Sequence, residues 1–223
     1  MKKFDILYED NHIIVVIKAP NIPTQEDESL DLDMLSIIKA YLKGKYNKPG
    51  NVYLGLVHRL DRPVGGIMVF AKTSKAASRL SEQIRKDEFN KVYLALVHGE
   101  LEKAGRLEDY LLKDESTHMS KIVGSNDGKK AILEYKPIAY DDERDLCLLE
   151  VTLHTGRHHQ IRVQLANIKH PVYGDQKYGH DRVGIQIHLW ASHLSFKHPV
   201  KDELMSFDNI PTWAKTYING SEK

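Results

Sequence analysis

The sequence predicts a mixed α+β domain, on three observations. Short β-branched and apolar runs recur along the whole chain. Helical periodicities fall between them irregularly, which argues against the strict alternation of a doubly wound parallel sheet. The 223 residues, 41% hydrophobic and 28% charged, are enough for one large globular domain with a substantial core.

The elements follow in order. Ile13–Ile17 is a β-branched run suited to a buried strand, ended by Pro20 and Pro23. After an acidic loop, Leu32, Leu35, Ile38 and Leu42 recur at helical spacing, with Gly44 as a stop. Val52–Val57 and Ile67–Ala71 read as strands on either side of HRLDRPVGG. A helix from Ser74 to Lys86 carries Ala76, Ala77, Leu80 and Ile84 on one face, with Thr73 or Ser74 as N-cap. Val92–Val97 is strand-like and closes at Gly99. Lys129–Tyr140 and Asp145–His154 form two strands around a turn at Asp141–Glu143. Gly156 opens a helix in which Ile161, Leu165 and Ile168 share a face. Ile185–Phe196 is extended, and a short element closes the chain around Trp213 and Tyr217.

Composition narrows the setting. Cys147 is the one cysteine, so no intrachain disulfide forms, and a reducing, cytoplasmic home is expected. No apolar run is long enough for a signal peptide or a membrane span. The net charge of +1 hides an uneven distribution. Asp5 to Asp33 holds eight acids and one base, Lys18; His154 to Lys201 holds seven Lys/Arg and two acids. Such a chain can present a positive face to a phosphate backbone, although an uneven solvated surface explains the same counts.

Three segments carry candidate chemistry. In HRLDR, Asp61 is flanked by Arg59 and Arg62, whose charge favours an ionised carboxylate. A positioned carboxylate serves as nucleophile or base; the bland alternative is a turn aspartate paired with a surface arginine. Gly65 and Gly66 let another backbone or a ligand approach. In KVYLALVHG, Tyr93 starts a strand, where it stacks on a base, exchanges a proton or is simply half-buried. HTGRHHQIRVQLA puts Arg157 at a helix start, where it can hold a phosphate or the Asp61 carboxylate; the bland alternative is a helix-cap arginine on the surface. Gln160 and Gln164 are expected on the face away from Ile161 and Leu165. His154, His158 and His159 lack the spacing of a metal motif, so no metal is assigned. Loops that cradle a nucleotide cofactor are missing too.

Order and wording then add weight. HRLDRPVGGIMVFAKT (58–73) resembles the catalytic signature of the RluA-type pseudouridine synthases, HRLDxxTSG followed by an apolar run and AK. KVYLALVHG, LHTGRHHQIRVQLA, HPVYGDQKYG and LWASHLSFKHP are similar to that family's further motifs, in the same order. The five matches cover most of the chain.

The resemblance implies a pseudouridine synthase fold: a mixed, largely antiparallel sheet with flanking helices and a central RNA-binding cleft. It implies isomerisation of a specific uridine in structured tRNA or rRNA, without cofactor or metal, by a monomer. One catalytic domain over residues 1–223 is expected, with no separate N-terminal RNA-binding domain. By motif position, Asp61 matches the catalytic aspartate, Tyr93 the active-site tyrosine and Arg157 the arginine that pairs with the aspartate. Arg59 matches the arginine associated with extruding the target nucleotide. His58, Lys91, Gln160 and Arg162 are further substrate contacts, or, for Gln160 and Arg162, supports of Arg157. The chemistry fits: the reacting atoms are hidden in stacked RNA, so the base must be flipped out. The chain departs from the pattern where TSG reads Val64–Gly65–Gly66, where His158 replaces a common Thr, and where LHA reads LWA. The VGG departure leaves a second reading, a non-catalytic RNA-binding or RNA-chaperone protein that keeps the cleft. A third, a His-dependent metal hydrolase, predicts a stoichiometric bound ion.

Overall fold

The structure is a computed structural model, which describes residues 4–179 and 181–220. Among the described residues eleven strands and four helices follow in the order β1 (Asp5–Glu9), β2 (Ile13–Lys18), α1 (Met34–Lys45), β3 (Gly55–Leu56), β4 (Gly65–Ala71), α2 (Ser74–Arg85), β5 (Asn90–His98), β6 (Gly105–Asp114), β7 (Met119–Val123), β8 (Lys129–Asp141), β9 (Leu146–Leu153), α3 (Gln160–Asn167), β10 (Leu189–Lys197), β11 (Leu204–Asp208) and α4 (Thr212–Gly220). This is an α+β fold with mostly antiparallel pairing. The sequence reads as one domain; the chain clusters into two compact units, one of Met1–Phe89 with His193–Asn209, the other of Asn90–Ser192 with Ile210–Lys223.

The first unit is built on the β1–β2 hairpin. Its turn forms because the Asp10 carboxylate accepts the backbone N–H groups of His12 (2.7 Å) and Ile13 (2.9 Å). β2 pairs antiparallel with β4, Ile13 opposite Ala71 and Lys18 opposite Gly66. Gly66 has φ +127°, a conformation that favours glycine. β3 pairs with β4 through Gly55 and Leu56, opposite Ala71 and Phe70, so the expected strand Val52–Val57 is shortened to these two residues. α1 starts two residues later than Leu32, because Asp33 caps it by accepting from the Ser36 N–H at 3.1 Å. Thr73 caps α2 in the same way at 3.1 Å. α2 buries Ala76 and Leu80 among Ile13, Val15, Val69 and Phe196. Its buried Gln83 is satisfied by exchanging two 2.8 Å bonds with the Lys197 backbone.

In the second unit the strands run β5–β9–β8–β6–β7. β8 carries Pro137 at a register shift, where the missing N–H is tolerated. The register sets Tyr93 opposite Val151, and Val151 opposite Tyr135. Side chains alternate along strands. Tyr93 therefore shares a face with Ala131, which packs with Leu111 against Val163 of α3. Leu94, Leu96 and Leu148 turn to the other face, covered by Ala214 of α4.

Candidate active site

In the first unit the segment His58–Arg62 is gripped through its backbone. Thr24 Oγ1 donates to the Leu60 carbonyl at 2.8 Å. The Arg62 carbonyl accepts from the Asn21 N–H at 2.8 Å and from Lys18 Nζ at 3.0 Å. The Asp61 carbonyl accepts from the Val64 N–H at 3.0 Å. His58 Nε2 accepts the Val69 N–H at 3.1 Å, so its ring holds β4. Asp61 is half-buried and Arg59 is exposed. Arg62 turns its guanidinium to the acidic loop, donating to Ser29 at 2.8 Å, pairing with Asp31 and lying 3.7 Å from Asp27.

Lys18 is the feature that sequence reasoning missed. Its side chain is fully buried, and Nζ also donates to the Ile22 carbonyl at 2.7 Å and the Ala19 carbonyl at 3.2 Å. Burial pushes its ammonium down to about 7; the Asp61 carboxylate pulls upward and Arg62 adds to the fall. The available signal was a lone base in an acidic stretch, at the end of an all-apolar strand.

In the second unit Tyr93 and Lys91 are largely buried on β5. Lys91 Nζ lies 3.9 Å from where a Cβ on Gly156 would sit. Arg157 is exposed and does not start the helix. His159 has φ +53° and α3 begins at Gln160, so Arg157 stands in the preceding turn. That turn is built by two side chains. Thr155 Oγ1 accepts the Ile132 N–H at 2.8 Å and donates to Gln160 Oε1 at 2.7 Å. Gln160 Oε1 also accepts the Arg157 N–H at 3.0 Å, while Nε2 donates to the Ile132 carbonyl at 3.0 Å. Arg157 Nε donates to the Lys130 carbonyl at 2.8 Å.

α3 is buried from Gln160 through Leu165, so the face that carries Gln160 and Gln164 is covered as well as the face of Ile161 and Leu165. Arg162 is 4% exposed, and its Nε and Nη2 donate to Asp175 at 2.7 and 2.8 Å. Asp175 further accepts the N–H groups of Lys177 (2.9 Å) and Tyr178 (3.3 Å). Burial would raise this carboxyl, but Arg162 and those N–H groups hold it below its ordinary value. The physical reason is electrostatic: a guanidinium taken out of water needs an opposite charge and hydrogen bonds to offset its lost hydration. Among the described residues no group of three His, Cys, Asp or Glu is arranged to hold a metal. No helix among them is long and apolar enough to cross a membrane.

The comparisons with known proteins point to the family that the motifs resemble. The sequence model of the RNA pseudouridylate synthase family matches residues 12–167. An uncharacterized RNA pseudouridine synthase of Bacillus subtilis (strain 168) is 34% identical over 208 residues, covering 91% of this chain and 67% of the relative. The ribosomal large subunit pseudouridine synthase D of Zymomonas mobilis is 30% identical, covering 92% and 68%. The tRNA pseudouridine synthase C of Vibrio parahaemolyticus is 29% identical, covering 96% and 94%. Among solved structures, the human RNA pseudouridylate synthase domain containing 4 superposes with a TM-score of 0.77 at 23% identity, covering 94% of this chain and 89% of that one. The chain belongs to the RNA pseudouridine synthase family, of the RluA type, whose members are isomerases that convert uridine to pseudouridine in RNA.

Proposed function

We propose that this protein isomerises a specific uridine in structured tRNA or rRNA in the cytoplasm, with Asp61 as the catalytic carboxylate. Tyr93 serves as the ring that meets the uracil, Arg157 as a cation serving the reacting groups, and Arg59 as the side chain that helps extrude the nucleotide. In the reaction the N1–C1′ bond breaks, the base turns, and a C5–C1′ bond forms. The C5 proton leaves to solvent and N1 gains one, so atoms balance without cofactor or metal.

The observation that carries the reading is the set of backbone bonds around Asp61. Lys18, Asn21 and Thr24 fix the residues on both sides of it. A carboxylate meant for chemistry needs such fixed geometry. The tRNA and ribosomal substrates named for the Vibrio and Zymomonas relatives support the substrate class.

The release of tritium from transfer and ribosomal RNA carrying 5-tritiated uridine tests the reading. Wild type is expected to release tritium and Asp61→Ala to release none. Asp61→Ala turning over at the wild-type rate removes Asp61 from the mechanism. RNA binding without release by either protein favours the non-catalytic binder.

A further inference from the structure

A second grip on the Arg157 turn comes from a residue that no motif marks. Ser120, on β7, is 4% exposed. Its hydroxyl donates to the His158 carbonyl at 2.8 Å, and Nδ1 of the same histidine lies 2.9 Å from the hydroxyl oxygen. With the hydroxyl proton given to the carbonyl, the ring fits as an Nδ1–H donor, so the two residues bond reciprocally.

Ser120 reaches the next residue as well. Its backbone N–H donates to the Tyr178 hydroxyl at 2.6 Å. That hydroxyl keeps its own proton for Nδ1 of His159, 2.9 Å away. The His158 and His159 rings stack with centroids 3.8 Å apart. Tyr178 is itself fixed, with the Arg162 guanidinium 5.3 Å over its ring and Asp175 on its N–H.

The two grips are complementary. Gln160 takes the N–H of Arg157, and Ser120 takes the carbonyl and the ring of the residue that follows. His159 sits at positive φ, so the chain reverses just past these bonds. A side chain that leaves a turn between two fixed points has its Cα–Cβ direction set by them.

We propose that Ser120 is a positioning residue: through His158 it sets the direction in which the Arg157 guanidinium leaves its turn. The inference rests on the reading of Arg157 as a residue of the reaction. Ser120 touches no substrate; it acts only through Arg157, and the consequence is non-additive kinetics.

The test is a double-mutant cycle on the full chain with Ser120→Ala, Arg157→Lys and the pair together. Tritium release at saturating RNA gives kcat, filter binding gives RNA affinity, and thermal unfolding gives the midpoint. Ser120→Ala is expected to lower kcat about ten-fold, the worth of one buried hydrogen bond. RNA affinity stays within about two-fold, because the loss falls on the transition state. Ser120→Thr, which keeps the hydroxyl, restores most of kcat. In the Arg157→Lys background, Ser120→Ala costs nothing further, as coupled residues require.

Losses that multiply in the double variant overturn the inference, as does full activity of Ser120→Ala beside an impaired Arg157→Lys. A Ser120→Ala loss that vanishes at low temperature together with a lowered midpoint also overturns it, because it marks simple destabilisation. An Arg157→Lys protein as active as wild type removes the underlying reading of Arg157, and the inference with it.

Discussion

Lys18 Nζ lies 3.0 Å from the carbonyl oxygen of Arg62, the residue that follows Asp61. An ammonium with three donors meets three carbonyls there, those of Ala19, Ile22 and Arg62. Lys18→Met fills the same volume but takes the ammonium donor from the Ala19 and Ile22 carbonyls, while the Arg62 carbonyl keeps the Asn21 N–H. It is expected to cost about 1–3 kcal/mol of stability and to lower kcat more than RNA affinity. Chemical denaturation and single-turnover kinetics check the two parts.

The same side chain sets a pH dependence. Its pKa falls from 10.5 to about 7 on burial, so between those values the unfolded chain holds a proton that the folded chain has shed. Stability contributed by this site therefore rises with pH through that window and is smallest below it. Unfolding free energies of wild type and Lys18→Met, measured from pH 7 to 10, should diverge in that direction; parallel curves would show that Lys18 keeps an ordinary pKa.

A separate knot docks α1 onto β1. Glu9 accepts from Lys45 (2.7 Å), Tyr46 (2.7 Å), Lys72 (2.9 Å) and Tyr41 (3.1 Å). Burial alone would raise its carboxyl; the bonds from Lys45, Tyr46 and Lys72 outweigh it and bring the pKa down to about 2. A depressed carboxyl stabilises above its unfolded pKa and loses that contribution as pH falls toward the folded value. Thermal midpoints between pH 5 and about 2 should fall more steeply for wild type than for Glu9→Gln. At neutral pH the variant is the less stable by about 1–2 kcal/mol.

The buried pair Arg162–Asp175 joins α3 to the loop that carries Tyr178. Asp175→Asn takes the Asp175 charge away from a buried guanidinium and is expected to cost about 3–5 kcal/mol. Urea unfolding reads the loss. A cost under about 1 kcal/mol, the worth of an exposed pair, would show that Arg162 finds another partner.

RNA affinity should weaken steeply with salt, because phosphate contacts by Lys and Arg release counterions. The expected basic stretch, however, is divided: Arg162 is buried, and Lys197 and Lys201 belong to the first unit while the other five bases belong to the second. Arg59→Ala should slow turnover on folded RNA more than on a short flexible strand, since only folded RNA must be unstacked. Equal losses on the two substrates would take the flipping role away from Arg59.

What the sequence made legible is local. HRLDR, the apolar runs of β2 and β4, and the cap of α2 are specified by neighbours within a few residues; the Asp33 cap of α1 emerges only in the structure. The β6–β7 hairpin is not legible, because its part-buried strands mix charged and apolar residues without strict alternation. β11 was hidden the same way in a polar tail. Lys18, Ser120 and Asp175 act through partners 44, 38 and 13 residues away, a link that no local pattern encodes. The start of α3 at Gln160 rather than Gly156 is not legible, because nothing local announces a histidine at positive φ.

Pseudouridine mapping by carbodiimide labelling, on RNA from cells with and without the gene, tests the central claim most directly. A site in transfer or ribosomal RNA should vanish in the deletion, return with wild type, and stay absent with Asp61→Ala. An unchanged map in the deletion, or full restoration by Asp61→Ala, would contradict the account.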